Sequence, residues 1–153
     1  MKDSVMFLSR SNALKWLDEM IIDEIDVSGM AFISVSDTHD EQQEIEIMLS
    51  EYKGPSLTLT FDDNDVGMSD EQAGCLLKFI NNNSGCMFTV HCFAGVSRSG
   101  AIAKFINEHL GLGNWYLEDY MGHNRVVFNQ LHKAAGTSLI SYYEELERKD
   151  RHD

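Results

Sequence analysis

The sequence predicts an α/β fold: a single domain over residues 1–153, with a mostly parallel central sheet of about four strands flanked by helices and a helical C-terminal third. Three observations predict it. Short apolar segments rich in β-branched and aromatic residues, each bounded by Gly, Asp or Asn, recur along the first two thirds. Between them, apolar residues return with helical spacing, and such alternation builds parallel sheets covered by helices. A chain of 153 residues that is 43% hydrophobic is long enough to bury one core.

VMFL (5–8), MAFISVS (30–36), SLTLTF (56–61) and CMFTVH (86–91) are the four strand candidates. Ala73, Leu76, Leu77 and Ile80 recur at i, i+3, i+4 and i+7, behind a capping box formed by Ser69 and Gln72. Residues 81–85 end that helix in turn-forming side chains. Ile102, Phe105, Ile106 and Leu110 repeat the spacing, and Gly111 supplies the stop. Three more stripes follow: Leu117, Tyr120 and Met121; Val127, Leu131 and Ala134; and Leu139, Tyr142, Tyr143 and Leu146. The single proline leaves little scope for long irregular linkers.

Composition narrows the function. The net charge of −13, without a basic patch, disfavours nucleic-acid backbones and anionic lipid surfaces as partners. Three cysteines without CxxC spacing form neither a disulfide framework nor a structural zinc site. MKDSVMFLSR lacks the apolar run of a signal peptide, and no stretch of about 18 apolar residues is present to span a membrane. The expectation is a reduced, cytoplasmic protein. Its oligomeric state is not written in the sequence.

The chemistry concentrates in HCFAGVSRSG, residues 91–100, between the strand CMFTVH and a helix beginning near Ser99. Ligands of α/β sheets bind where strands end and helices begin, and a helix start favours an anion. Gly95 lets the backbone of Phe93, Ala94, Gly95, Val96 and Ser97 turn its N–H groups inward. Arg98 adds a planar fork that grips two phosphate oxygens at once. Cys92 lies at the mouth of this cradle, and the positive field there lowers a thiol's pKa, with neighbouring His91 expected to contribute. Its thiolate is placed to attack phosphorus, and Ser99 can donate to the sulfur as it leaves.

HCFAGVSRSG resembles the signature loop of the cysteine-based protein tyrosine phosphatases, most closely the dual-specificity group and its compact bacterial and phage relatives. The resemblance extends more weakly to FISVSD and LTFDDND. It implies a general acid, an Asp some thirty residues before the Cys. FDDND offers Asp62, Asp63 and Asp65, and the family spacing fits Asp63 best, with Asp62 as runner-up. Asn124 and Arg125 resemble the segment after the loop helix, where an Asn holds the active-site loops. The usual neighbouring Pro is absent, and capping of a helix by Asn124 is an equal reading. Gln130 is a weaker candidate for placing a water, against a role as an exposed helix residue.

The resemblance implies a two-step phosphatase that forms a phosphocysteine and needs no cofactor or metal. His39, His109, His123, His132 and His152 are too scattered to suggest a ligand cluster. A loop without Lys or extra Arg favours phosphoprotein or phosphopeptide substrates, on Tyr or on Tyr and Ser/Thr, over phosphoinositides. Two alternatives stay open: a catalytically slow module that binds phosphate or phosphoproteins, and a rhodanese-like sulfur transferase. Cys75 and Cys86 read as buried structural residues, against a redox role in protecting the Cys92 thiol from over-oxidation. The 38–44 acidic loop and the 114–124 segment are candidate substrate-selecting loops.

Overall fold

The computed structural model describes residues 4–137. Four strands, β1 (Val5–Ser9), β2 (Met30–Ser36), β3 (Ser56–Thr60) and β4 (Met87–Cys92), alternate with α1 (Arg10–Ile22), α2 (His39–Leu49) and α3 (Asp70–Asn82). The chain continues through α4 (Arg98–His109), the single turn α5 (Trp115–Glu118) and α6 (Arg125–Ala134). All strand pairs are parallel, in the order β1-β4-β2-β3. Ser9 is in register with Cys92, Ser34 with His91, and Ser36 with Thr60, so the carboxyl ends of the strands open on one edge. β4 lies between β1 and β2, where the strand order reverses, and such a switch point leaves a crevice for a ligand.

Side-chain alternation assigns the two faces of the sheet. Ala31, Ile33 and Val35 of β2, with Phe88, Val90 and Cys92 of β4, pack into the core shared with α3, α4 and α6. Phe32 packs on the opposite face with Ala13 and Leu17 of α1 and Ile45 and Leu49 of α2. Helix α4 is buried from Arg98 through Asn107, so even its polar members need partners. Lys104 Nζ donates to the carbonyls of Leu117, Glu118 and Tyr120 at 3.3, 2.8 and 3.1 Å, and Asn107 exchanges hydrogen bonds with Asn114.

The Ser69–Gln72 capping box forms as expected. Helices α1 and α2 are additions to the sequence reading. Each buries only two side chains, Ala13 and Leu17 or Ile45 and Leu49, too few for a visible stripe. The supposed acidic loop at 38–44 is the start of α2. Thr38 caps it, accepting from the Glu41 amide, and Asp40 and Glu41 complement the helix dipole in the first turn. The stripe of Leu117, Tyr120 and Met121 is not one helix, because α5 ends at Glu118. The stripe from Leu139 to Leu146 lies outside the described residues. Among those residues no helix is long and apolar enough to cross a membrane.

Candidate active site

The loop Phe93–Ser97 joins the end of β4 to the start of α4, as its residue types require. Gly95 has φ +71°, and a Cβ there would collide with the Ser9 amide nitrogen, so both conformation and space demand glycine. The Arg10 amide donates to the Phe93 carbonyl at 3.1 Å and ties the loop to the start of α1.

Helix α4 begins unlike its neighbours. Side chains of Ser9, Thr38, Ser69, Asn114 and Asn124 cap the other five helices, whereas Ser97 at the α4 N-cap makes no capping hydrogen bond. Its hydroxyl turns outward and donates to Asp63 Oδ1 at 2.8 Å. In the first turn of α4, the Ser99 amide turns to the Cys92 sulfur instead.

Cys92 is 2% exposed, and its Sγ lies 3.1 Å from Ser99 Oγ. Burial by itself pushes the thiol up. The Ser99 hydroxyl and the N–H groups of Ser99, Val96 and Gly95 outweigh it, and the net direction is down. Arg98 is 4% exposed. Its Nη1 donates to the Phe61 carbonyl at 2.7 Å and its Nη2 pairs with Asp37 at 2.6 Å. Its buried Nε has no partner among the described residues, a donor whose burial is costly until an acceptor arrives. Asp37 was not foreseen as a site residue. It ends FISVSD, one residue beyond β2, and only the adjacency of β2 to β4 brings it to Arg98.

His91 acts differently from expectation. It points to the sheet face opposite Cys92, with Nε2 2.7 Å from Ser34 Oγ and Nδ1 3.4 Å from the Cys92 carbonyl. Burial, reinforced by the charges of Arg10 and Arg98, pulls its pKa down to about 4 against the opposing effect of the Cys92 carbonyl. The ring is neutral at pH 7 and supplies no positive charge to the thiolate; it ties β4 to β2 instead.

The three acidic candidates separate. Asp63 Oδ1 accepts from both Ser97 Oγ and Asn124 Nδ2, each at 2.8 Å. Asp62 and Asp65 are exposed, and among the described residues their carboxylates accept no hydrogen bond. Asn124 makes two sets of hydrogen bonds. Its Oδ1 caps α6 by accepting from Val126 and Val127, while its Nδ2 reaches Asp63 and the Asn64 carbonyl. Gln130 is half-buried, not exposed. It accepts from the Met68 amide at 2.9 Å and donates to the carbonyls of Val66 and Met68 at 3.0 and 2.8 Å, clasping the far end of the loop that carries Asp63. The sequence reading missed this because the two partners are some sixty residues apart.

Cys75 is exposed and Cys86 half-buried, so the expectation of two buried structural cysteines fails for Cys75. Among the described residues no group of three or more His, Cys, Asp or Glu could hold a metal ion.

No protein-family model matches the chain, and no curated protein matches it. Solved structures do. The chain is similar to PTPMT1 at TM-score 0.54 and 14% identity, over 98% of this chain and 96% of that one. A structure of PTPMT1 in complex with PI(5)P gives TM-score 0.50 and 13% identity over 87% of this chain and 93% of that one. OH1 from the Orf virus, a tyrosine phosphatase with triple substrate specificity, aligns at TM-score 0.49 and 19% identity, over 86% of this chain and 82% of that one. The chain shares the fold of PTPMT1.

Proposed function

We propose that the protein is a cysteine-dependent phosphatase acting on phosphomonoesters of protein Tyr, or of Tyr and Ser/Thr. The carrying observation is a buried Cys92 thiol 3.1 Å from the Ser99 hydroxyl, on the same loop as buried Arg98 with its unpartnered Nε, and with Asp63 tied to that loop through Ser97.

In the first step the Cys92 thiolate attacks phosphorus, the bond from phosphorus to the ester oxygen breaks, and Asp63 gives that oxygen a proton. In the second step Asp63 takes a proton from water as the water attacks the phosphocysteine. The sulfur–phosphorus bond breaks, and inorganic phosphate leaves beside a regenerated thiolate held by Ser99. Arg98 and the loop amides from Phe93 to Arg98 stabilise the equatorial oxygens where charge develops. The chemistry calls for no metal or cofactor. A nucleophilic thiol must stay unoxidised, which supports a reducing compartment such as the cytoplasm.

The absence of Lys or extra Arg among Phe93–Ser97 and the net charge of −13 favour a phosphorylated protein or peptide over a polyanionic headgroup, a nucleic acid or an anionic membrane surface. The test is hydrolysis of para-nitrophenyl phosphate without added metal, for wild type and Cys92→Ser, with vanadate as inhibitor. The expected result is vanadate-sensitive turnover that the substitution abolishes. Phosphopeptide binding without turnover would replace the enzyme by a binding module. Faster release of phosphate from soluble PI(5)P than from phosphopeptides would overturn the substrate preference.

A further inference from the structure

The hydroxyl of Tyr120 donates to the Val96 carbonyl of the phosphate loop at 2.7 Å. A trans peptide unit is planar and holds its C=O and N–H in opposite directions. A carbonyl drawn toward Tyr120 therefore turns the Ser97 N–H away from it. The preceding Val96 N–H already points to the Cys92 sulfur.

The rest of the molecule fixes this tyrosine. Lys104 Nζ holds the Tyr120 carbonyl together with those of Leu117 and Glu118. The ring packs on Phe7 and Tyr116, with centroids 5.0 and 5.9 Å away. Two glycines clear room for it. A Cβ on Gly100, in the first turn of α4, would lie 2.5 Å from Tyr120 Cε2, and one on Gly122 would lie 2.7 Å from its hydroxyl. Burial, then the nearby Tyr116 and Cys92, push the phenol up, so it remains a protonated donor.

We propose that Tyr120 is a positioning residue, whose hydroxyl holds the Val96–Ser97 peptide unit with its N–H turned toward the bound oxyanion. The proposal rests on the reading of this loop as the phosphate cradle of a phosphatase. Without the hydroxyl the peptide unit is free to turn over and set a carbonyl lone pair against the anion.

The experiment compares the full chain as wild type, Tyr120→Phe and Gly100→Ala. Alkylation of Cys92 by iodoacetamide is followed against pH on the Cys92 peptide, and tungstate affinity is measured by calorimetry. Tyr120→Phe keeps the ring and its packing, so a purely structural role predicts no change in either. The expected result is an alkylation midpoint moved to higher pH and a tungstate affinity about tenfold weaker, the scale of one hydrogen bond. Gly100→Ala, which displaces the ring with its hydroxyl, should move both readouts in the same directions. Unchanged midpoint and affinity in Tyr120→Phe would overturn the proposal. Both readouts are independent of turnover: wild type without phosphatase activity, alongside shifted readouts in Tyr120→Phe, would sink the phosphatase reading and leave Tyr120 in its role.

Discussion

Ser97 and Asp63 are joined by a hydrogen bond of 2.8 Å, from the N-cap of α4 to the loop after β3. The contact serves two ends. It diverts the one side chain that would otherwise cap α4, and it pins the Asp63 carboxylate to the loop that holds Cys92. Asn124 completes the junction, since its Nδ2 bonds the same Asp63 oxygen and its amide donates to the Ser97 carbonyl at 2.9 Å.

The first prediction concerns which acid works. Asp63→Asn should lower kcat by roughly 10²–10³-fold, within the range for loss of a general acid. The loss should be larger for an alkyl phosphate, whose leaving oxygen needs the proton, than for para-nitrophenyl phosphate. Asp62→Asn and Asp65→Asn, whose carboxylates are unanchored, should stay within about twofold of wild type. Steady-state rates with both substrates check this; a full loss in Asp62→Asn with Asp63→Asn intact would reverse the assignment.

The second concerns Asp37. The carboxylate at 2.6 Å from Nη2 and the Phe61 carbonyl at Nη1 fix the Arg98 plane, while the buried Nε has no partner among the described residues. Asp37→Ala removes one of these two anchors, and vanadate inhibition should weaken by about tenfold. Asp37→Glu or Asp37→Asn, which keep an acceptor, should recover part of that loss. Inhibition constants for the three variants decide it, and an Asp37→Ala value equal to wild type would show that Phe61 suffices.

How far the site was legible follows from sequence distance. Cys92, Ser99 and the loop between them lie within eight consecutive residues, and their chemistry reads from local order alone. Asp37 reaches Arg98 through the strand order, which leaves no local mark; Asn124 was singled out by the family resemblance, while the partners of Gln130 lie some sixty residues away and gave no local signal. Asp63 stood between, since family spacing singled it out while only its bonds to Ser97 and Asn124 set it apart from Asp62 and Asp65. Strands β1 to β4 were legible because their apolar, β-branched runs are continuous. Helices α1 and α2 were not, because each buries only two side chains beneath a polar surface. The charge state of His91 was misread because its burial on the far face of β4 follows from strand alternation within a sheet whose order was unknown.

The third prediction concerns Gln130, which fixes both the Met68 amide and the carbonyls of Val66 and Met68. Gln130→Ala frees the loop that carries Asp63 without touching the cradle. The kcat should fall about five- to tenfold, while the pH dependence of Cys92 alkylation stays in place. Hydrogen exchange at Met68 should speed up. A shifted alkylation profile would mean that the clasp acts on the cradle instead.

The last prediction uses His91 as a pH-dependent element of stability. Its pKa is about 4 in the folded chain against 6.5 as the ordinary value, so the unfolded chain takes up a proton that the folded one refuses. Above pH 6.5 both states hold the neutral ring and His91 contributes no pH dependence. As pH falls from there toward 4 the unfolded state gains, and stability declines by about 2 kcal/mol at pH 5 from this residue alone. Below about 4 the folded ring protonates as well, and the loss levels off. Urea unfolding at pH 7 and pH 5 measures the decline, and His91→Asn, which has no proton to gain, should lose correspondingly less between the two. An equal decline in the variant would assign the acid sensitivity to other groups and leave the buried imidazole without a part in it.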